Sequence, residues 1–142
     1  MQLATKPIVV VGSINMDLVT RTPRIPLAGQ TLIGTAFVTT PGGKGANQAV
    51  AAARLGYPVH MVGKVGADSY GPALLKNLAA AGVDASAMET TAGPSGLAPI
   101  FLSEAGENSI VVVPGANGEV DCGFIERHSA LIRSAGMVLC QL

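Results

Sequence analysis

Four β-branched residues, Ile8-Val9-Val10-Val11, run directly into Gly12, and an apolar run without alternation is the pattern of a strand buried on both faces. Such strands belong to parallel sheets covered by helices, which argues against a half-solvated sandwich or an all-helical bundle. The next segments keep to the same rule. Pro41-Gly42-Gly43 halts a β-leaning stretch, and residues Lys44 to Leu55 are Ala-rich and free of proline, so a helix runs from the glycines to Gly56. Within it Ala46, Ala49, Val50, Ala53 and Leu55 suit close packing. Tyr57-Pro58 turns the chain into a second buried strand, Val59 to Val65, and Asp68-Ser69 offers a cap for a helix over about 70–81 that Gly82 closes. The order β-α-β-α predicts an α/β fold with a mainly parallel central sheet and right-handed crossovers.

Two stretches do not fit this alternation. Asp17 to Thr40 carries Pro23, Pro26 and Gly29, then the β-leaning residues Thr31 to Thr40, and reads as loop plus one or two strands. Farther on, Leu97 to Ser103 and Ser109 to Val113 form a candidate hairpin around Glu104 to Asn108, after a polar, turn-rich stretch from Ala85 to Pro94. Pro114 to Glu119 then reads as loop, Asp121 as the cap of a helix over Gly123 to Ser134, and Gly136 to Leu142 as a last apolar strand. With 49% hydrophobic and 13% charged residues the chain can bury a core, and disorder is excluded as a description of the whole. A formal net charge of zero gives no footprint for nucleic acid and no basic run for an anionic membrane surface.

No stretch approaches the ~18 apolar residues of a membrane helix, and the apolar run near the N-terminus is too short for a signal peptide. Cys122 and Cys140 lie in no CxxC or Cys/His cluster, so they are expected to be buried thiols in a reducing compartment, without a disulfide framework or structural zinc. A soluble cytoplasmic protein is the expectation. The sequence stops at Leu142, directly after a strand, where open α/β sheets place their ligand loops. We therefore expect a fragment, or an edge covered by something else.

Three clusters carry possible chemistry. Asn15 and Asp17, two apart in Gly12-Ser13-Ile14-Asn15-Met16-Asp17, can point to one side of an extended segment and hydrogen-bond adjacent hydroxyls of a polyol. An ordinary Asx turn at a strand end is the competing reading. In Pro41-Gly42-Gly43-Lys44-Gly45-Ala46-Asn47-Gln48, glycines at a helix start let a ligand approach the backbone, and the positive helix end favours an oxygen-rich or anionic group. Neither a Walker A loop nor a dinucleotide fingerprint fits, because Gly45 follows Lys44 where Ser or Thr is needed, and Gln48 stands where the third glycine belongs. Gly106 to Ile110, leading to Pro114-Gly115-Ala116-Asn117, reads as a hairpin turn and a loop. His60 and His128 have no partner at metal spacing, and Ser13 is not in a nucleophile elbow, so hydrolysis has no support.

Taken in order, Gly12 to Asp17, Gly42 to Ala49, Gly63 to Asp68, Gly106-Glu107-Asn108 and Gly115-Ala116-Asn117 resemble the N-terminal half of the ribokinase-like enzymes, the PfkB-type carbohydrate kinases, over essentially all of residues 8–142. The resemblance implies one ribokinase-like α/β domain, of which residues 1–142 are the N-terminal part, with a small β-sheet lid built from about 19–40 and 97–113 and able to pack against its twin in a homodimer. It implies a sugar site in which Asn15 and Asp17 hold ribose hydroxyls, the Gly42-Gly43 backbone touches the sugar, Lys44 and Asn47 complete the polar ring with Gly45 a substrate-binding position between them, and Ala98 and Ile110 form the lid's apolar wall.

The implied reaction moves the γ-phosphoryl of Mg-ATP to the primary hydroxyl of ribose, with a monovalent cation assisting. The family's catalytic Asp in its Gly-Ala-Gly-Asp-type motif, the nucleotide and cation sites, and the acidic sugar ligand after the last strand have no counterpart here. The chain alone is therefore expected to bind sugar weakly and to be inactive. Fructose, another pentose or a nucleoside are alternative substrates, and a non-catalytic sugar-binding or dimerisation module is the alternative function.

Overall fold

The computed structural model describes residues 6–141, so Leu142, placed by the sequence at the end of the last strand, lies outside the described residues. Its strands form two four-stranded sheets. The first comprises β1 (Ile8–Val11), β4 (Val59–Gly66), β5 (Val83–Thr91) and β8 (Met137–Cys140), in the order β5-β4-β1-β8 with every pairing parallel. In register, Ile8 stands beside both Val59 and Met137. The second comprises β2 (Asn15–Thr22), β3 (Ala36–Gly42), β6 (Gly96–Ser103) and β7 (Asn108–Ile110), in the order β3-β2-β6-β7. Here β2 runs parallel to β6, while the β2-β3 and β6-β7 pairs are antiparallel.

Burial on both faces is visible in the first sheet. Val10, Met61 and Val65 pack with Leu74 and Leu78 of α2 (Tyr70–Ala80) and with Ala46 and Ala49 of α1 (Lys44–Arg54). Val9, Val62 and Ala87 point the other way, onto Phe124 of α3 (Cys122–Arg127), with Leu131 and Ile132 of α4 (Ser129–Ser134) at the margin. Alternate residues of β1 and β4 thus feed two separate cores, which is why their sequence shows no polar alternation.

Several expectations are revised. Ala85 to Pro94 is not a loop throughout, because β5 occupies Val83–Thr91; its outward residues, such as Asp84 and Ser86, are polar since β5 is an edge strand. The single helix expected over 123–134 is broken at His128 into α3 and α4, and Pro114 to Glu119 contains a 3-10 helix, Gly115–Glu119. Asp121 caps α3 as expected, accepting from Phe124 N at 2.7 Å. Leu55 lies past the end of α1 and is 78% exposed rather than packed. Both cysteines are free and exposed rather than buried, for Cys122 opens α3 on its solvent side and Cys140 sits on the edge strand β8.

Candidate functional site

The chain passes from β1, an inner strand of the first sheet, through three residues into β2, an inner strand of the second, so the first residues of β2 sit at the junction of the two. Asn15 and Asp17 share one face of this strand, two residues apart. Facing them is the first turn of α1, which presents Gly43, Lys44 and Asn47. An open cleft of about 600 Å³ lies between, within the usual range of small-molecule sites.

The glycines make this approach possible. Gly43 caps α1 at φ +92°, and a Cβ there would lie 2.7 Å from Ile14 Cα and 2.8 Å from both Asn15 N and Ser13 O. Only glycine accepts that backbone and that contact together. Gly42, opposite Asn15 in the β2-β3 ladder, leaves the space into which the Asp17 carboxylate leans; an added Cβ would be 2.6 Å from Asp17 Cγ. Gly45 faces away from the cleft, with its Cα side against the backbone of Gly12 and Ser13, while Ala46 N donates to Ser13 O at 3.0 Å. It sets the distance between helix and strand. A Gly45→Ala substitution would put a Cβ 2.7 Å from Gly12 C, which the main chain cannot vacate, and should cost about 3 kcal/mol in denaturant unfolding.

Of the nine positions named from sequence, seven line the cleft: Asn15, Asp17, Gly43, Lys44, Asn47, Ala98 and Ile110. Gly42 and Gly45 shape it from behind. The apolar wall is wider than expected. Ala98 stands beside Asp17 in the β2-β6 ladder, Ile100 pairs with Ile110, and Val112 follows two residues on. Ile100 and Val112 were reachable from sequence by the strand period of two, counted from Ala98 and Ile110.

Burial disfavours the charged form of Asp17 and pushes its carboxyl above the ordinary value. Asn15 is 8% exposed and its side-chain oxygen accepts from Asn117 Nδ2 at 2.9 Å. Asn117, Ser13 and Gln141 also border the cleft, and the Ser13 hydroxyl donates to Gln141 Oε1. None of the three was expected in the site, although Ser13 and Asn117 stand in clusters that the sequence singles out. A smaller recess of about 270 Å³ adjoins them, walled largely by Val11, Val120 and Ile125.

The two histidines lie elsewhere. His60 Nδ1 is 3.3 Å from the Asp84 carboxylate without the geometry of a hydrogen bond, and His128 Nε2 is 3.2 Å from Glu89, which Arg127 also grips at 3.0 Å. Among the described residues no three His, Cys, Asp or Glu side chains gather as a metal site. No helix of the described chain is long and apolar enough to cross a membrane.

Comparison with known proteins places this geometry. The ribokinase of Bacillus subtilis (strain 168) is 54% identical over 135 residues, which are 94% of this chain and 46% of that protein. The structure of ribokinase from Giardia lamblia superposes with a TM-score of 0.88 at 35% identity, covering 97% of this chain and 42% of that one. Arabidopsis thaliana ribokinase complexed with ribose and ATP gives 0.81 at 36% identity, covering 96% and 45%. The chain therefore spans a little under half the length of the relatives it matches. The model of the family described as pfkB family carbohydrate kinase matches residues 5–138, nearly the whole sequence, and the chain belongs to that family.

Proposed function

We propose that this chain supplies the acceptor-sugar face of an ATP-dependent ribokinase, in which ribose lies in the cleft with its hydroxyls on Asn15 and Asp17 and its ring against Ala98 and Ile110. The observation that carries this reading is the placement of Asn15 and Asp17 side by side on β2, opposite the glycine-lined first turn of α1. A donor and an acceptor there match vicinal hydroxyls, the Gly43 backbone admits the ring closely, and Lys44 and Asn47 close the polar side. The apolar wall suits the C–H face of a sugar. The second sheet serves as the lid, over about 19–40 and 97–113, and its boundary extends back to Asn15 because β2 begins there.

Mg-ATP and a monovalent cation belong to the proposed reaction. In the cleft Asp17 is the one carboxylate among the described residues, and the adjoining recess is lined by Val11, Val120 and Ile125 together with the uncharged Ser13, Asn117 and Gln141, a lining that offers no charged partner to a nucleotide phosphate or a cation. Holding and orienting the acceptor is what these residues can do. Calorimetric titration of the 142-residue chain with ribose should give weak, millimolar binding, and incubation with Mg-ATP should give no ribose 5-phosphate. Absence of heat at tens of millimolar ribose would remove the sugar assignment.

The lid also offers a surface for a second copy. Phe37 on β3 and Phe101 on β6 stand in register across Thr20 of β2, on the sheet face opposite the cleft, and are 62% and 37% exposed. Packing of two such sheets would bury them, so sedimentation should show a dimer that Phe37→Glu dissociates; a wild-type monomer would count against it. The reading goes with a cytoplasmic setting, in which Cys122 and Cys140 stay thiols.

A further inference from the structure

Asn117 belongs to a segment that sequence alone reads as plain loop, yet its side chain makes four hydrogen bonds. Its Oδ1 accepts from Ile14 N at 2.9 Å. Its Nδ2 donates to Ile14 O at 3.0 Å, Pro114 O at 3.0 Å and Asn15 Oδ1 at 2.9 Å, two protons shared among three acceptors. The main-chain partners settle which end of the amide is which, because a backbone N–H can only donate and a backbone carbonyl can only accept. Asn117 therefore has no freedom to flip, and its nitrogen dictates that Asn15 turns its oxygen inward. The Asn15 nitrogen is left facing the other way, and it forms no hydrogen bond among the described residues.

Gly96 reinforces the arrangement. It pairs with Asn15 across the β2-β6 ladder, and a Cβ there would strike both Asn117 Nδ2 and Asn15 Oδ1. The missing side chain is the space in which the two amides meet. The 3-10 helix carrying Asn117 is itself held in place, through Ala116 N donating to Pro94 O at 2.9 Å.

We infer that Asn117 is a positioning residue for the sugar site: it locks the Asn15 amide with its NH2 group toward the cleft, so that β2 offers one donor at Asn15 beside one acceptor at Asp17. This rests on the proposed function for the identity of the ligand, but the orientation itself does not. A cleft with two acceptors there would bind any pair of hydroxyls through their own protons. A donor beside an acceptor asks one hydroxyl to accept and its neighbour to donate, which fixes the direction of the hydrogen-bond chain around the ring.

The test uses Asn117→Asp, Asn15→Asp and Asn15→Ala, with side-chain amide NMR of the free chain and ribose calorimetry. In the wild type the Asn15 NH2 should exchange rapidly with water and the Asn117 NH2 slowly. In N117D the Asn15 amide should turn its nitrogen inward to the new carboxylate, its exchange should slow, and ribose affinity should fall about tenfold, the loss of one hydrogen bond. The N15A/N117D pair should bind no worse than N15A alone. Should N117D fail to fold, N15D decides, since Asn117 Nδ2 can still donate to a carboxylate there: it should still unfold cooperatively, at or somewhat below the wild-type temperature, while ribose affinity falls at least about tenfold. Unchanged Asn15 exchange in N117D, additive losses in the pair, or wild-type affinity in N15D would overturn the inference. A wild-type chain that binds no ribose would overturn the function proposed above, and the amide exchange would still decide the orientation.

Discussion

Replacing Asp17 by Asn should weaken ribose binding about a hundredfold while making the chain harder to unfold at neutral pH. A carboxylate accepts from two neighbouring hydroxyls, and bonds to a charged acceptor are worth about 1.5–3 kcal/mol, against about 1 for neutral ones. An amide keeps one acceptor and turns a donor on the second hydroxyl, so about 2–3 kcal/mol of binding goes, roughly a hundredfold. Stability moves in the opposite direction. Burial in the folded chain raises the Asp17 carboxyl above its ordinary value, so folding disfavours the ionised form. The group's contribution to stability is full below the ordinary carboxylate value and is lost as pH rises through the raised one. An uncharged Asn escapes that loss.

Thermal melts should therefore separate D17N from wild type near pH 7 and bring them together near pH 4, while calorimetry shows wild-type ribose binding fading over the same fall in pH. Equal ribose affinity in the two proteins would sink the role given to Asp17. Asp17 thus lowers the stability of the free chain at neutral pH in exchange for an acceptor at the cleft, which is expected of a binding residue and not of a structural one.

How much of this was legible in the sequence depends on the distance over which each residue acts. β1, β4 and α1 declare themselves locally, through β-branched runs and an alanine-rich segment stopped by Gly56. Asp121 announces its cap within three residues. β5 does not, because an edge strand needs apolar residues only where it meets the core, at Val83 and Ala87, and its remaining small polar residues look like turn. The exposed cysteines were misjudged because burial of Cys140 depends on what covers β8, a property of neighbours and not of the residue.

The site divides in the same way. Asn15, Asp17 and the glycines of 42–45 are short motifs with a local mechanism. Asn117 reaches Ile14 and Asn15 across more than 100 positions of sequence, and nothing near Asn117 signals that. Gly45 enters the expected site with the Gly-Lys-Gly-Ala-Asn block that carries the family resemblance, and its contacts place it against the backbone just past β1, where the need for glycine is steric.

A second long-range device sets the other large effect: Asp68→Ala should cost about 3 kcal/mol of stability and loosen the second sheet where it meets the first. Asp68 Oδ1 accepts from Tyr70 N at 3.1 Å, Gly71 N at 3.0 Å and Ser95 Oγ at 2.8 Å, and Oδ2 accepts from Ser95 N at 2.8 Å. The carboxylate therefore caps α2, which Ser69 does not, and grips the residue immediately before β6. Ser95 is fully buried, and its hydroxyl accepts from Gly66 N at 3.0 Å while donating to Asp68. Without the carboxylate, a buried hydroxyl and three main-chain amides lose their acceptor at once.

Because β6 begins at Gly96, beside Asn15, the same substitution should also lower ribose affinity, by slackening the strand that backs the site. Burial opposes ionisation of Asp68, and the bonds from Ser95, Gly71 and Tyr70 outweigh it, holding the carboxyl below its ordinary value. Its stabilisation is thus present above the ordinary carboxylate value and is lost as pH falls through the lowered one. Wild-type melting temperature should drop steeply in acid, and Asp68→Asn, already lacking that contribution, should change less over the same range. Parallel acid profiles for the two proteins would mean that the seam between the sheets is held by something other than this carboxylate.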